Sequence, residues 1–156
     1  MPATILKALG HTPAPDVVQT VANLMDSAGG MRRFAEPAEP RTIIAAAGGR
    51  GVGVMGIRAV QAGALTEAID RELAADDPDR RDYDRAAPFR RLCGELGVDP
   101  ALLAHRYALT MAGVDTVVIG VKNRAELAMC VEAEAEGPLP EDLVRRIDAL
   151  GLRGQL

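Results

Sequence analysis

This chain predicts an α/β fold built on a parallel sheet. Three short apolar runs recur along it, each separated from the next by helical spacing. The runs are β-branched and too short for helices. The connections are unequal, long in two of three cases where the chain leaves a run and short where it enters the next. In parallel α/β folds the ligand sits at the carboxyl ends of the strands, so the long connections mark the functional face.

The opening ATILKAL reads as the end of a helix, with residues 1–15 forming that helix and a loop. The first strand is Asp16–Ala22 (DVVQTVA), followed by a loop over Asn23–Glu39. Ile43, Ile44 and Ala47 share one face of a helix near Arg41–Ala47, which Gly48 and Gly49 end. The second strand is Gly51–Ile57 (GVGVMGI). A long loop over Arg58–Ala86 includes DDPDRRDYDR at Asp76–Arg85, whose dense mixed charge predicts a mobile, solvated segment. Phe89, Leu92, Cys93 and Leu96 then give i, i+3, i+4, i+7 spacing. Asp99 caps a further helix with Pro100 at its first position and Leu103, Tyr107 and Met111 in line. The third run, Asp115–Ile119, is apolar enough to predict a strand covered on both faces. Gly120 turns the backbone, Asn123 stands at an N-cap, and Leu127, Val131 and Ala135 form the apolar stripe of the helix that follows. A last helix from about Pro140 points Leu143, Val144, Ile147 and Leu150 inward before Gly151. No linker divides the chain, which reads as one domain or one piece of one.

With 156 residues and 48% hydrophobic content the chain can fill a single core. A net charge of −4 and 3% aromatics argue against a nucleic-acid partner. No apolar run is long enough to span a bilayer, and the start lacks the pattern of a secretory signal, so a cytoplasmic location is expected. Cys93 and Cys130 lack metal-ligand spacing and read as small buried apolar residues of a reducing compartment. No metal site is expected.

One turn carries a functional signal. Lys122 and Arg124 bracket the Asn123 cap, where free N–H groups and the positive end of the helix dipole favour an anion, a phosphate above all. The same two cations also read as ordinary solubilising charges on a strand-to-helix turn. No catalytic residue is assigned. Tyr107 belongs to an apolar stripe, and Tyr83 has Asp82 and Asp84 beside it, which disfavour a tyrosinate. His11 and His105 have no sequence partners for nucleophilic or metal chemistry.

Taken in order, these motifs resemble the C-terminal half of the aldo/keto reductase family. DVVQTVANLMD resembles the sixth strand of its (β/α)8 barrel, GVGVMGIRAVQAGALT its seventh strand and loop, and LAHRYAL the helix before its last strand. TVVIGVKNRAEL resembles the last strand and the turn that holds the adenosine 2′-phosphate. The similarity runs from about Asp16 to Ala149. It implies a C-terminal part of a TIM-type barrel, about three parallel strands with flanking helices, and NADP(H) as cofactor. The implied cofactor-binding residues are Gln19 at the nicotinamide carboxamide, Ile57 and Arg58 after the seventh strand, and Gly120, Val121, Lys122, Asn123 and Arg124 at the phosphate turn. Ile57 stands where relatives stack an aromatic ring, Arg58 and Ala59 replace a Ser and a Pro, and Cys130 lies near an adenine-contacting Asn.

The family's catalytic Asp, Tyr, Lys and His belong to the first half of the barrel, which the resemblance does not cover. The expectation is therefore an oxidoreductase fragment carrying the cofactor-binding half, without turnover of its own. The alternative is a non-catalytic interaction or assembly module, or a truncated remnant. Three strands would leave inward side chains and two sheet edges uncovered. Self-association, or pairing with a chain supplying a first half, is the expected remedy.

Overall fold

The computed structural model describes residues 2–31 and 38–154, so part of the loop assigned to Asn23–Glu39 lies outside the described residues. Helix α1 (Pro2–Leu9) leads into β1 (Val17–Val21), α2 (Pro40–Gly48) and β2 (Gly53–Ile57). Then come α3 (Pro78–Arg85), α4 (Ala87–Leu96), α5 (Pro100–Thr110), β3 (Thr116–Val117), α6 (Arg124–Glu136) and α7 (Glu141–Asp148). The strands form a parallel sheet in the order β1-β2-β3. The α/β class and parallel three-stranded sheet are those expected from the sequence.

In β1 and β2 the register pairs Val18 with Val54 and Val21 with Ile57. Val54 is buried on the central strand, where the absence of a Cβ on Gly56 lets Ala22 and Val114 pack close to the backbone. The core extends through Leu9, Met25, Leu65, Phe89, Leu103 and Ile147. The caps predicted at Asp99 and Asn123 are both made: Asp99 accepts from the N–H groups of Ala101 and Leu102, and Asn123 from that of Glu126. Tyr107 is buried, and its hydroxyl donates to Asp148 at 2.6 Å while accepting from Arg41 and Arg153. It is a core residue, as its stripe predicts.

Three expectations need correction. The third strand is not covered on both faces: Val118 and Ile119 are each 39% exposed. β3 is the edge strand of the sheet among the described residues, a cleft separates Val117 and Ile119 from Cys130 and Val131 of α6, and pairing ends after Val118 donates to the Gly56 carbonyl. The apolar stripe of α6 faces outward, with Leu127 46% and Val131 59% exposed. The inward face instead runs through Glu126, Met129, Cys130 and Ala133, which have the same helical spacing and pack towards α5. Finally, Asp76–Arg85 is not a solvated loop. Asp77 caps α3 by accepting from Asp79 N–H, Pro78 sits in its first turn, and Asp79 and Asp82 are buried.

Candidate functional site

Two features lie at the carboxyl ends of the strands. The first is a cleft of about 410 Å³ between the loop after β2 and the start of α6. Val60, Ala62, Val121 and Met129 supply apolar wall, and the polar lining is mixed in charge, with Arg71, Lys122 and His105 beside Glu67, Asp70, Asp99 and Glu126. Of the eight residues expected at a cofactor, Gly120, Val121 and Lys122 line this cleft. Asn123 and Arg124 lie on the adjoining turn, while Gln19 is exposed on β1 and Ile57 ends β2 half-buried. The structure therefore brings the phosphate-turn residues together and leaves Gln19, Ile57 and Arg58 outside the cleft lining.

The turn is built by a reciprocal cap. Asn123 Oδ1 accepts from the Glu126 N–H at 2.9 Å, and Glu126 in return accepts from the Lys122 N–H at 2.8 Å and from Asn123 Nδ2 at 3.1 Å. Among the described residues, the N–H groups of Arg124 and Ala125 have no acceptor. They remain available to an incoming anion. Lys122 Nζ pairs with Asp70 across the cleft mouth, with both side chains more than half exposed. Such exposed pairs are worth only ~0–1 kcal/mol, so a multiply charged phosphate can displace the carboxylate.

Deeper in the cleft, Cys130 Sγ lies 3.5 Å from His105 Nε2. Burial, then Glu126, raises the thiol's pKa, and burial lowers the imidazole's despite the opposing pull of Asp99. Both groups are therefore held neutral, and the pair is not set up as a thiolate nucleophile. Cys93 is buried and pushed up to about 12, with desolvation the leading cause. Among the described residues, no group of three or more His, Cys, Asp or Glu side chains is placed to hold a metal ion. No described helix is long and apolar enough to cross a membrane.

A pH dependence follows from His105. Burial holds its folded pKa below the ordinary histidine value of about 6.5, so the unfolded chain takes up the proton first as pH falls. The neutral ring's contribution is present above that value and is lost as pH drops through the folded pKa. His105→Gln is expected to flatten the decline in urea midpoint between about pH 7 and about pH 5. Parallel declines in both proteins would contradict this.

The second feature escaped the sequence reading. Asn23, Ser27, Gln61 and Asp82 form a buried polar network joining the loops after β1 and β2 to α3. Asn23 Nδ2 donates to the carbonyls of Ser27 and Arg58 and to Gln61 Oε1, and its Oδ1 accepts from the Met25 and Ser27 N–H groups. Gln61 Nε2 and Ser27 Oγ both donate to Asp82. The network holds Arg58 and Gln61 at positive φ (62° and 47°), a backbone region that costs non-glycine residues about 1–3 kcal/mol. Arg58 is drawn away from the cleft: its Nε donates to Gln61 and its Nη2 to Asp79 at 2.7 Å. Tyr83 donates to the Glu67 carbonyl, with Arg90 stacked 3.7 Å from its ring centroid.

The model of the aldo/keto reductase family matches residues 3–151 of this sequence. No curated protein matches it. With nearly its whole length matched, the chain belongs to the aldo/keto reductase family.

Proposed function

We propose that this aldo/keto reductase family chain binds NADP(H), with the start of α6 holding the 2′-phosphate and the adjoining cleft the adenosine. The observation that carries this reading is the position of Lys122 in the cleft, one residue before the Asn123 cap and two before Arg124. Two cations, the Arg124 and Ala125 N–H groups and the helix dipole then converge on one small region. Lys122 would exchange Asp70 for the phosphate, and Arg124, exposed at the first position of the helix, would close on it from the other side. Val60, Ala62 and Val121 would exclude water from the base.

In this family the dinucleotide supplies the hydride for carbonyl reduction. Reduction also needs a proton donor beside the carbonyl oxygen, commonly a Tyr tuned by a Lys. Tyr107 is committed to Asp148, Arg41 and Arg153, and Tyr83 to the Glu67 carbonyl, so neither is assigned that role. The proposed share of this chain in the reaction is to bind and orient the cofactor. Titrating the chain into NADPH is expected to enhance and blue-shift the nucleotide's fluorescence saturably. Unchanged emission at every protein concentration would refute the reading.

A second reading, an assembly module, draws on the open sheet. Val17 on β1 and Val118 and Ile119 after β3 are exposed at its two edges, beside Leu127 and Val131 on α6. Under that reading the chain associates through these edges, with a second copy or with a chain bringing further strands. Concentration-dependent association without nucleotide binding would favour it over the first.

A further inference from the structure

His105 on α5 and Cys130 on α6 meet where the two helices pack, with Nε2 and Sγ 3.5 Å apart. They stand 25 residues apart in the chain, so no motif spacing announces them. A zinc-sized ion with bonds of about 2.0 Å to nitrogen and about 2.3 Å to sulfur, at a tetrahedral angle, holds its two donor atoms about 3.5 Å apart. The pair is inert as a nucleophile, but it already has the spacing of two ligands on one metal ion.

Access and ligand type narrow the choice of ion. Both side chains are half-buried and line two clefts, the one beside the start of α6 and the one between β3 and α6. An ion can therefore reach them without either helix moving. Met129, one residue before Cys130, lines the first of these clefts and brings a thioether to the same wall. Among the described residues, no carboxylate and no further His or Cys makes a group of three with the pair. Zinc sites use three or four His, Cys or carboxylate ligands and calcium sites six or more oxygens, so neither ion is matched. A thiol, an imidazole and a thioether form a soft set, the kind that selects copper(I).

We propose that His105 Nε2, Cys130 Sγ and the Met129 thioether form a binding site for one copper(I) ion. Binding exchanges the thiol proton for a copper–sulfur bond. The proton leaves to solvent, the ion stays in the +1 state, and no oxidant or reductant takes part. The inference does not depend on the dinucleotide reading, because its ligands, probe and readout are separate from Lys122 and Arg124.

The test is anaerobic titration of the whole chain into the copper(I) complex of the chelator ferrozine, whose colour fades as the ion moves to the protein. The wild type is expected to take up one ion per chain. Removing a direct ligand should cost at least the tenfold or so lost when a residue that merely orients one is replaced. Cys130→Ser, His105→Gln and Met129→Leu are each expected to weaken copper(I) binding by at least about that factor. No transfer to the wild type, or wild-type affinity in any of the three variants, would overturn the proposal. Should a variant not fold, copper-edge X-ray absorption of the loaded wild type decides: a shell of two sulfurs and one imidazole nitrogen supports the site, and any other shell overturns it.

Discussion

Gly29→Ala is expected to destabilise the chain by about 3–5 kcal/mol, the sum of a left-handed backbone penalty and severe overpacking. Gly29 has φ +47°, and an added Cβ would meet Asp79 Oδ1 at 2.1 Å, Gln61 Nε2 at 2.5 Å and Arg58 Nη2 at 2.9 Å. None of these neighbours can retreat cheaply. Gln61 is fully buried and bonded at both ends, and moving Asp79 or Arg58 separates a largely buried ion pair. Against a typical total of about 5–15 kcal/mol, a loss of this size shifts much of the population towards unfolded chain. Urea denaturation followed by circular dichroism measures it, and a loss below about 1 kcal/mol would show that the loops after β1 and β2 are not packed as described.

Asn23→Ala is expected to cost about 2–4 kcal/mol. Asn23 is fully buried and uses both ends of its amide, so its removal strands the N–H groups of Met25 and Ser27 and the Ser27 and Arg58 carbonyls. Each buried group left without a partner costs about 1–3 kcal/mol, partly recovered where water enters the space. Arg80→Ala is the control. Among the described residues Arg80 forms an exposed pair with Asp84 along α3, so its loss should stay within about 0.5 kcal/mol. Equal midpoints for the two variants would contradict the weight given to the network.

These buried contacts explain which parts of the fold were legible beforehand. β1, β2, α4 and α5 announce themselves through β-branched runs, helical spacing and caps, and α7 through its inward Val144 and Ile147. Helix α3 has no apolar stripe, because polar residues bury its inner face: Asp79 meets two arginines and Asp82 meets Ser27 and Gln61. Hydrophobic periodicity cannot register such a helix. The Asp77-Pro78 pair could have, since it repeats the cap-then-proline signature read correctly at Asp99-Pro100.

Helix α6 misled for the opposite reason. It has apolar residues on two faces, and the more hydrophobic one, Leu127 and Val131, is the exposed one. Which face turns inward is set by packing against α5 through Cys130 and Ala133, a tertiary choice that local pattern does not fix. At the candidate site the turn from Gly120 to Arg124 was legible from its glycine, cap and cations. The engagement of Arg58 by Asp79 and of Lys122 by Asp70 was not, because both depend on contacts across long loops.

The most direct measurement is the dissociation constant of NADPH and of NADH for the wild type and for the Lys122→Ala/Arg124→Ala double variant. The two dinucleotides differ only in the 2′-phosphate. Loss of two charge-assisted contacts, each worth about 1.5–3 kcal/mol, should weaken NADPH binding by at least about a hundredfold and leave NADH unchanged. If NADPH affinity is unaffected, or both dinucleotides weaken together, the phosphate is not held at the start of α6.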